Sequence, residues 1–273
     1  MSVFLCPLCG KVLEAEGNSL RCEKRHTFDI SRRGYVNFLL SQASSAKRHG
    51  DDKLMVQART RFLEKGYYLP LLEALNDVVG KYAGPGIRLA DAGCGECWYT
   101  DALERNLSEA GKEPVVCGVD ISKEALIAGH RRNPKLQLAV ASLFHLPLGT
   151  EDWDMVVNIF APHAAEEFAR ILKKDGHLVR VIPLEDHLMG LKRAIYDQVR
   201  PNVVDSIPLE GFTLLEQVEV RGEIRVEGQE DIQALFQMTP YYYKTGVKDQ
   251  EKLRTVSALD TEISFAILVY QKN

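Results

Sequence analysis

Long apolar runs are missing from this sequence, which nowhere approaches the roughly eighteen consecutive apolar residues that a membrane span requires. The first residues, MSVFLCPLCGK, also lack the basic stretch and extended apolar segment of a secretory signal. There are no internal repeats and no low-complexity tracts, and 45% hydrophobic residues in a chain of 273 exclude disorder. We therefore expect a cytoplasmic protein, with no membrane partner, built from one large domain and a small appendage.

Cysteines are few, and their placement is uneven. In a reducing compartment clustered cysteines indicate metal binding or chemistry more often than disulfides. Cys6 and Cys9 have two residues between them, and Cys22 and His26 follow with three residues between them. This spacing predicts a tetrahedral zinc site that is structural, because all four positions are filled. The bound ion would replace the hydrophobic core that so short a segment cannot build.

A second pair, Cys94 and Cys97, has the same two-residue spacing but a different context. Two interpretations compete for it, a redox pair like that of thioredoxin and one half of another metal site. The pair lies in a glycine-rich turn after a strand, with no third or fourth ligand nearby in the sequence. We interpret both residues as ordinary turn and helix-start residues, and Cys117, inside an apolar strand, as core.

Chain-wide positive charge is absent, since the formal net charge is −4. Residues 1–50 nevertheless carry eight basic and four acidic side chains, a net +4, so the remainder of the chain is −8. A basic segment can act as an electrostatic handle for a polyanion, although a solvated surface would look the same. Arg21, Lys24 and Arg25, beside the predicted zinc ligands, are the candidates for contacts with nucleic-acid phosphates.

Hydrophobic periodicity divides the chain into a zinc-binding domain over 1–40, a polar linker over 41–52 and an α/β domain over 53–273. Helices are predicted over 52–64, 69–82, 98–110, 122–132 (capped by Ser122), 163–174, about 187–199 and about 229–237. Strands are predicted over 87–92, 114–119, 136–140, 154–160, 177–182, 211–226 and 261–270. The alternation of strands with helices is typical of a doubly wound α/β fold.

A glycine-rich loop follows the first predicted strand of the α/β domain and leads into a helix. Asp91 precedes the loop, and Gly93 and Gly95 allow a tight turn and a close ligand. Trp98 stands where a dinucleotide-binding fingerprint needs its third glycine, which disfavours nicotinamide and flavin cofactors. Asp120 ends the next strand, where a carboxylate can bind ribose hydroxyls. A loop flanked by carboxylates suits an ammonium and a sulfonium, and therefore S-adenosylmethionine.

Together with Ala141-Ser142-(x)4-Pro147 and Phe168-x-Arg170-Ile171-Leu172-Lys173-x2-Gly176, this loop makes residues 86–182 resemble the class I, Rossmann-like methyltransferases. The whole chain more narrowly resembles the bacterial 23S ribosomal RNA (guanine-N1) methyltransferases of the RlmA type. The further features that carry this resemblance are the zinc knuckle, His26-x-Phe28-Asp29-x4-Gly34-Tyr35-Val36-Asn37, Ala58-Arg59-x2-Phe62-Leu63-x2-Gly66-x-Tyr68, Ala161-Pro162, His187-Leu188 and Gln237-Met238-Thr239-Pro240.

The resemblance implies methyl transfer from S-adenosylmethionine to N1 of a guanine in a 23S ribosomal RNA hairpin. It also implies cofactor contacts by Tyr68, Gly95, Glu96 and His187. A homodimer is left open. The alternatives are a methyltransferase of small molecules, because the fold does not set the substrate, and a non-catalytic RNA-binding relative.

The loop after the fourth strand of the α/β domain is where related enzymes present groups to the target base. Asn158 could orient the base edge and Phe160 could stack on it, while a strand-end cap and a core position are the structural alternatives. No residue is identified from the sequence as a catalytic base. The chain departs from the family at Cys97, where a third glycine is usual, and we expect the Cys97 side chain to turn toward the core.

Overall fold

The computed structural model describes residues 2–39 and 50–273. The amino-terminal segment forms a small antiparallel sheet of β1 (Glu14–Glu16), β2 (Ser19–Arg21) and β3 (Thr27–Asp29). The next strand, β4 (Tyr35–Asn37), instead pairs in parallel with a strand of the large sheet. The division into 1–40, 41–52 and 53–273 stays a prediction, and residues 1 and 40–49 lie outside the described residues.

An eight-stranded sheet forms the centre of the molecule, in the order β10-β11-β9-β8-β5-β6-β7-β4. Its other strands are β5 (Arg88–Ala92), β6 (Val115–Asp120), β7 (Gln137–Val140), β8 (Trp153–Ile159), β9 (Leu172–Pro183), β10 (Phe212–Glu227) and β11 (Ala258–Lys272). The strands from β4 to β9 run parallel, and β11 and β10 are antiparallel additions at one edge. The strand order reverses on either side of β5, and ligands of doubly wound sheets bind at such a point. The predicted α/β fold class is confirmed.

The helices of the described residues are α1 (Lys53–Glu64), α2 (Leu69–Tyr82), α3 (Trp98–Glu109), α4 (Lys123–Arg132), α5 (Ala165–Ile171), α6 (Met189–Ile195), α7 (Gln229–Gln237), α8 (Tyr241–Lys244) and α9 (Val247–Lys252). The Ser122 hydroxyl accepts the backbone N–H of Ala125, which confirms Ser122 as the cap of α4. No helix in the described part of the chain has the length and apolarity to cross a membrane.

Two predicted helices are shorter than the sequence indicated. The helix predicted over 163–174 ends at Ile171, because Leu172 already has extended backbone angles and pairs with Trp153 of β8. The helix predicted near 187–199 ends at Ile195. The short helices α8 and α9 were not predicted. Apolar spacing could not locate these ends, because strand pairing and packing determine them.

Buried side chains form two clusters, one on each face of the large sheet. The first includes Phe62, Leu71, Leu103 and Phe236 from α1, α2, α3 and α7. The second joins α5 to apolar residues of the amino-terminal segment, namely Phe4, Leu13, Leu20, Val36 and Phe38. The amino-terminal segment therefore packs on the sheet face opposite α1, α2 and α3.

Candidate functional site

The four predicted zinc ligands converge at one end of the amino-terminal segment. The ligand atoms of Cys6, Cys9, Cys22 and His26 all lie within 4.8 Å of one another. The Cys6 and Cys22 Sγ atoms lie 3.4 and 3.5 Å from Nδ1 of His26, and the Sγ atoms of Cys9 and Cys22 are 3.7 Å apart. Ligand bonds of about 2.0 to 2.3 Å in a tetrahedron give ligand separations of roughly 3.3 to 3.8 Å. The donor set therefore fits zinc and leaves no open coordination position.

The glycine-rich loop connects β5 to α3 at the point where the strand order reverses. Gly93 has φ +92°, and a Cβ there would lie 2.4 Å from the Cβ of Ala161, so only glycine fits. The Gly95 N–H donates to Oδ2 of Asp120 (2.9 Å), and the Ser122 N–H donates to Oδ1 (2.8 Å). Asp120 therefore fixes the shape of the loop while its remaining lone pairs stay available to a ligand.

Acidic groups surround this loop. Burial raises the pKa of the Asp91 carboxyl to about 7, even though the Thr100 hydroxyl donates to its Oδ2. Burial also raises the pKa of Glu96 and of Asp120. Oδ1 of Asp91 and Oε2 of Glu96 are buried acceptors with no hydrogen-bond partner among the described residues. Such acceptors fit a ligand that brings an ammonium and a sulfonium, as S-adenosylmethionine does.

Tyr68 and His187, which are 119 positions apart in the sequence, form one hydrogen-bonded unit. The backbone N–H of Ser264 donates to Nδ1 of His187 (3.3 Å), so the ring proton is on Nε2. That Nε2 lies 3.2 Å from the Tyr68 oxygen and donates to it, which leaves the Tyr68 O–H for another acceptor. Burial lowers the pKa of His187 to about 3, so the imidazole is neutral.

A chain of aromatic rings joins this unit to the glycine-rich loop. The Tyr68 ring lies 5.0 Å from Phe265, which lies 5.3 Å from Phe160, which in turn lies 6.5 Å from Tyr99 in the first turn of α3. The tertiary fold thus brings residues from α1–α2, β8, α6 and β11 to one side of the loop. Tyr99 and Phe265 were not identified from the sequence, because each looks like an ordinary core aromatic.

The two residues predicted to face the target base lie at the end of β8. The Asn158 amide donates to the backbone oxygen of Ala92 (2.8 Å), and its Oδ1, buried, has no partner among the described residues. Phe160 is 44% exposed and has φ +54°, an uncommon conformation for a large side chain. Asn158 therefore caps the end of the strand, as the structural alternative expected, while its Oδ1 remains without a partner among the described residues. Phe160 is too exposed to be a core residue.

Cys97 is the amino-terminal cap of α3 and has a left-handed backbone conformation, φ +59°. Glycine adopts this conformation without strain, which explains why a glycine is expected there. The Cys97 side chain is fully buried, and its sulfur lies where a Cβ on Gly129 of α4 would be only 2.6 Å away. The expectation that Cys97 turns toward the core is confirmed, and Cys117 is buried as predicted.

The three basic candidates of the zinc knuckle differ in their surroundings. Arg21 is paired with Glu16 at 2.9 Å, so part of its charge is neutralised. Lys24 and Arg25 are exposed in the turn between Cys22 and His26, and no ion pair of theirs is found among the described residues. Their placement suits contact with an extended polyanion.

Sequence reasoning also missed a half-buried ion-pair group beside the loop. Arg59 of α1 lies with its Nη2 2.5 Å from Oδ2 of Asp51 and its Nη1 3.5 Å from Oε2 of Glu96. The hydroxyl of Ser122 donates to the backbone oxygen of Asp51 (2.6 Å), which holds this segment against the end of β6. The helical spacing of α1 could not reveal these contacts, because they depend on where α1 packs.

Comparison with known proteins gives two family matches on this chain. A zinc ribbon family described as "RlmA, N-terminal" matches residues 4–47, and a family described as "Methyltransferase domain" matches residues 90–180. The protein YxjB of Bacillus subtilis (strain 168), provisionally named a 23S rRNA (guanine-N(1)-)-methyltransferase, is 32% identical over 99% of this chain and 98% of its own length.

A second relative is the 23S rRNA (guanine(748)-N(1))-methyltransferase of Streptomyces fradiae. It is 32% identical, over 93% of this chain and 79% of its own length. A Micromonospora griseorubida protein, also provisionally named a 23S rRNA (guanine-N(1)-)-methyltransferase, is 35% identical over 68% of this chain and 67% of its own. The similarity therefore extends across both the zinc ribbon and the α/β domain.

Proposed function

The chain belongs to the 23S rRNA (guanine-N1)-methyltransferase family, and we propose that it transfers a methyl group from S-adenosylmethionine to N1 of a guanine in a hairpin of 23S ribosomal RNA. The observation that carries this proposal is the pairing, on one chain, of a Cys3His zinc ribbon with a carboxylate-lined glycine loop. A methyltransferase of small molecules has no evident use for a basic zinc ribbon. Because the glycine-rich loop is intact, the alternative of a non-catalytic RNA-binding relative is disfavoured.

We assign the cofactor to the carboxyl ends of β5 and β6. Asp120 would bind the ribose hydroxyls, Asp91 and Glu96 would accept hydrogen bonds from the ammonium, and Gly93 and Gly95 would let the methionine portion lie close to the backbone. Tyr68 and His187 close the same site from α2 and α6. When bound, S-adenosylmethionine supplies an activated methyl group, so the main task of the protein is to position it against the base.

We assign the target guanine to the end of β8. Phe160 presents an exposed ring on which a flipped base can stack, and Asn158 offers an unpartnered Oδ1 that can accept an N–H of the guanine edge. The N1 proton of guanine must leave during the reaction. No side chain of the described residues is assigned as its acceptor.

The zinc ribbon is proposed to hold its ion with Cys6, Cys9, Cys22 and His26 and to dock RNA through Lys24 and Arg25, with Arg21 in a lesser role because of its pairing with Glu16. Phosphate contacts of this kind position the RNA without reading its sequence. We infer a cytoplasmic location from the proposed ribosomal RNA substrate. The homodimer that the resemblance left open stays a prediction, which sedimentation of the purified protein tests.

The proposal is tested by incubating the purified protein with S-adenosylmethionine and transcribed 23S RNA hairpin fragments, followed by mass mapping of the product. We expect one methyl group on N1 of one guanine, and mapping identifies which of neighbouring guanines receives it. Ribosomal RNA from a strain lacking the protein should lack that methyl group. Methylation of small molecules but of no RNA fragment would contradict the proposal.

A further inference from the structure

The methionine portion of S-adenosylmethionine carries a carboxylate. The acidic residues assigned to the cofactor, Asp91, Glu96 and Asp120, cannot bind this negative group. We propose that Arg59, together with the hydroxyl groups of Tyr68 and Tyr99, forms the carboxylate-binding part of the cofactor site. This inference rests on the proposed function, because it assumes that the ligand is S-adenosylmethionine.

The charge of the site creates the need for a cation. Four carboxylates, those of Asp51, Asp91, Glu96 and Asp120, act on one another or on Arg59 around the glycine loop. They favour the ammonium and the sulfonium of the ligand but repel its carboxylate. A carboxylate can enter such a site only where a positive group or strong hydrogen-bond donors meet it.

Arg59 is placed to provide that positive group. A Cβ built on Gly95 would lie 3.5 Å from Nη1 of Arg59, so the guanidinium lies directly against the loop backbone. The same Nη1 lies 3.5 Å from Oε2 of Glu96, a separation too long for a strong hydrogen bond, and that oxygen has no other partner among the described residues. Nη2 is held by Asp51 at 2.5 Å, which leaves the Nη1 side of the guanidinium available to an incoming carboxylate.

A second nearby cation, Arg132, is already paired with other groups. Arg132 also acts electrostatically on Glu96, but its Nη2 is paired with Glu64 at 3.0 Å. Its Nε donates to the backbone oxygen of Glu96 (3.3 Å). Of the two described cations that act on Glu96, Arg59 is therefore the one whose Nη1 is free of a close hydrogen-bond partner.

Two neutral donors lie near the same region. The Tyr68 oxygen already accepts from Nε2–H of His187, so its own hydrogen is free to donate. The Tyr99 hydroxyl is buried without a hydrogen-bond partner among the described residues. Tyr68, Glu96 and Arg59 are all close enough to influence that hydroxyl electrostatically. A buried phenol left unpaired is costly, and a ligand carboxylate would satisfy it.

The test compares two ligands that differ only in this group: S-adenosylmethionine and its decarboxylated form. Calorimetry on the full, zinc-loaded protein would measure both affinities for the parent and for Arg59→Gln and Tyr99→Phe. We expect the parent to prefer the carboxylated ligand by more than tenfold. Each variant should lose at least tenfold (Arg59→Gln) or about threefold (Tyr99→Phe) for S-adenosylmethionine, with unchanged affinity for the decarboxylated form. Arg59→Lys should recover part of the loss.

Arg61→Gln is the matched control, because Arg61 lies on the same helix but pairs with Glu230 and Asp231. It should leave both affinities unchanged. If Arg59→Gln weakened both ligands equally, or weakened neither, the carboxylate assignment would be overturned, while the proposed function would stand as long as the parent binds S-adenosylmethionine. Failure of the parent to bind either ligand would instead overturn the proposed function itself.

Discussion

Asp91 is a buried carboxyl group whose pKa, about 7, lies far above its ordinary range because burial disfavours the charged form. A cationic ligand beside Oδ1 favours the charged form, so binding releases a proton from molecules in which Asp91 is protonated. Affinity should therefore rise as the pH is raised through 7. It should fall again above about pH 8, where the ligand's own amino group loses its proton.

This pH dependence is tested by calorimetry with S-adenosylmethionine between pH 6 and 8.5. The parent should bind several-fold more tightly at pH 7.5 than at pH 6. Asp91→Asn should bind more weakly and show no rise over this range. An equally steep rise in Asp91→Asn would assign the titration to another group.

Asp120 is the residue proposed to bind the ribose hydroxyls of the cofactor. Asp120→Ala should weaken S-adenosylmethionine binding by about 2 to 4 kcal/mol, because two charge-assisted hydrogen bonds of roughly 1.5 kcal/mol or more are lost together with the tie to the Gly95 N–H. Calorimetry at a fixed pH measures the loss. Asp77→Ala, an exposed position on α2, serves as the control and should bind as the parent does. Unchanged affinity in Asp120→Ala would rule out the assignment.

Among the helices, α3 and α4 pack closely where the side chain of Cys97 lies against Gly129. Gly129→Ala should lower the free energy of unfolding by about 1 to 3 kcal/mol, because the new Cβ would lie 2.6 Å from the Cys97 sulfur. In a Cys97→Gly background the same change should be neutral or stabilising by up to about 1 kcal/mol, since alanine favours helix. Urea unfolding of the four proteins measures this coupling, and additive effects would contradict it.

We expect the zinc ribbon to depend on its ion for folding, because a three-stranded sheet of three-residue strands has little core of its own. Protein purified without chelator should contain one zinc per chain by elemental analysis. Cys6→Ser/Cys9→Ser should lose that zinc, whereas Cys94→Ser, outside the ligand cluster, should keep it. Full zinc retention in the double variant would mean that other residues bind the metal.

Across the whole molecule, the region proposed to bind RNA and the region proposed to bind the cofactor differ in the sign of their net charge. Residues 1–50 are net +4 and the rest of the chain is −8, so we expect the basic ribbon to attract RNA and the acidic cleft to receive the cationic cofactor. Lys24→Gln/Arg25→Gln should weaken binding of a 23S hairpin fragment and lower the slope of log affinity against log salt by about 1 to 2. Cofactor affinity should not change.

Arg21→Gln is the internal comparison for this experiment. Because Arg21 is paired with Glu16, its removal should affect RNA binding less than the removal of Lys24 and Arg25. RNA affinity of the double variant equal to that of the parent at several salt concentrations would show that the ribbon does not contact the phosphates.

Several features of this protein follow from local order along the chain and are predictable without the structure. Ligand spacing specified the zinc cluster, glycines after a strand specified the loop, and carboxylates at the ends of β5 and β6 indicated the cofactor. Local periodicity also placed most helices and strands to within a few residues, because side-chain burial repeats with the period of each element. Asp120 could be identified because its position follows from the strand that it ends.

Which distant residues come into contact depends on the packing of the folded chain. Tyr68 and His187 are predicted from family resemblance, but their hydrogen bond, and with it the free Tyr68 O–H, exists because both rings pack against Phe265 of β11. Arg59 reaches Gly95 because α1 lies over the loop, and the ends of α5 and β9 are set by pairing with β8. These contacts join segments far apart in the chain, so their energies depend on packing that no local pattern encodes.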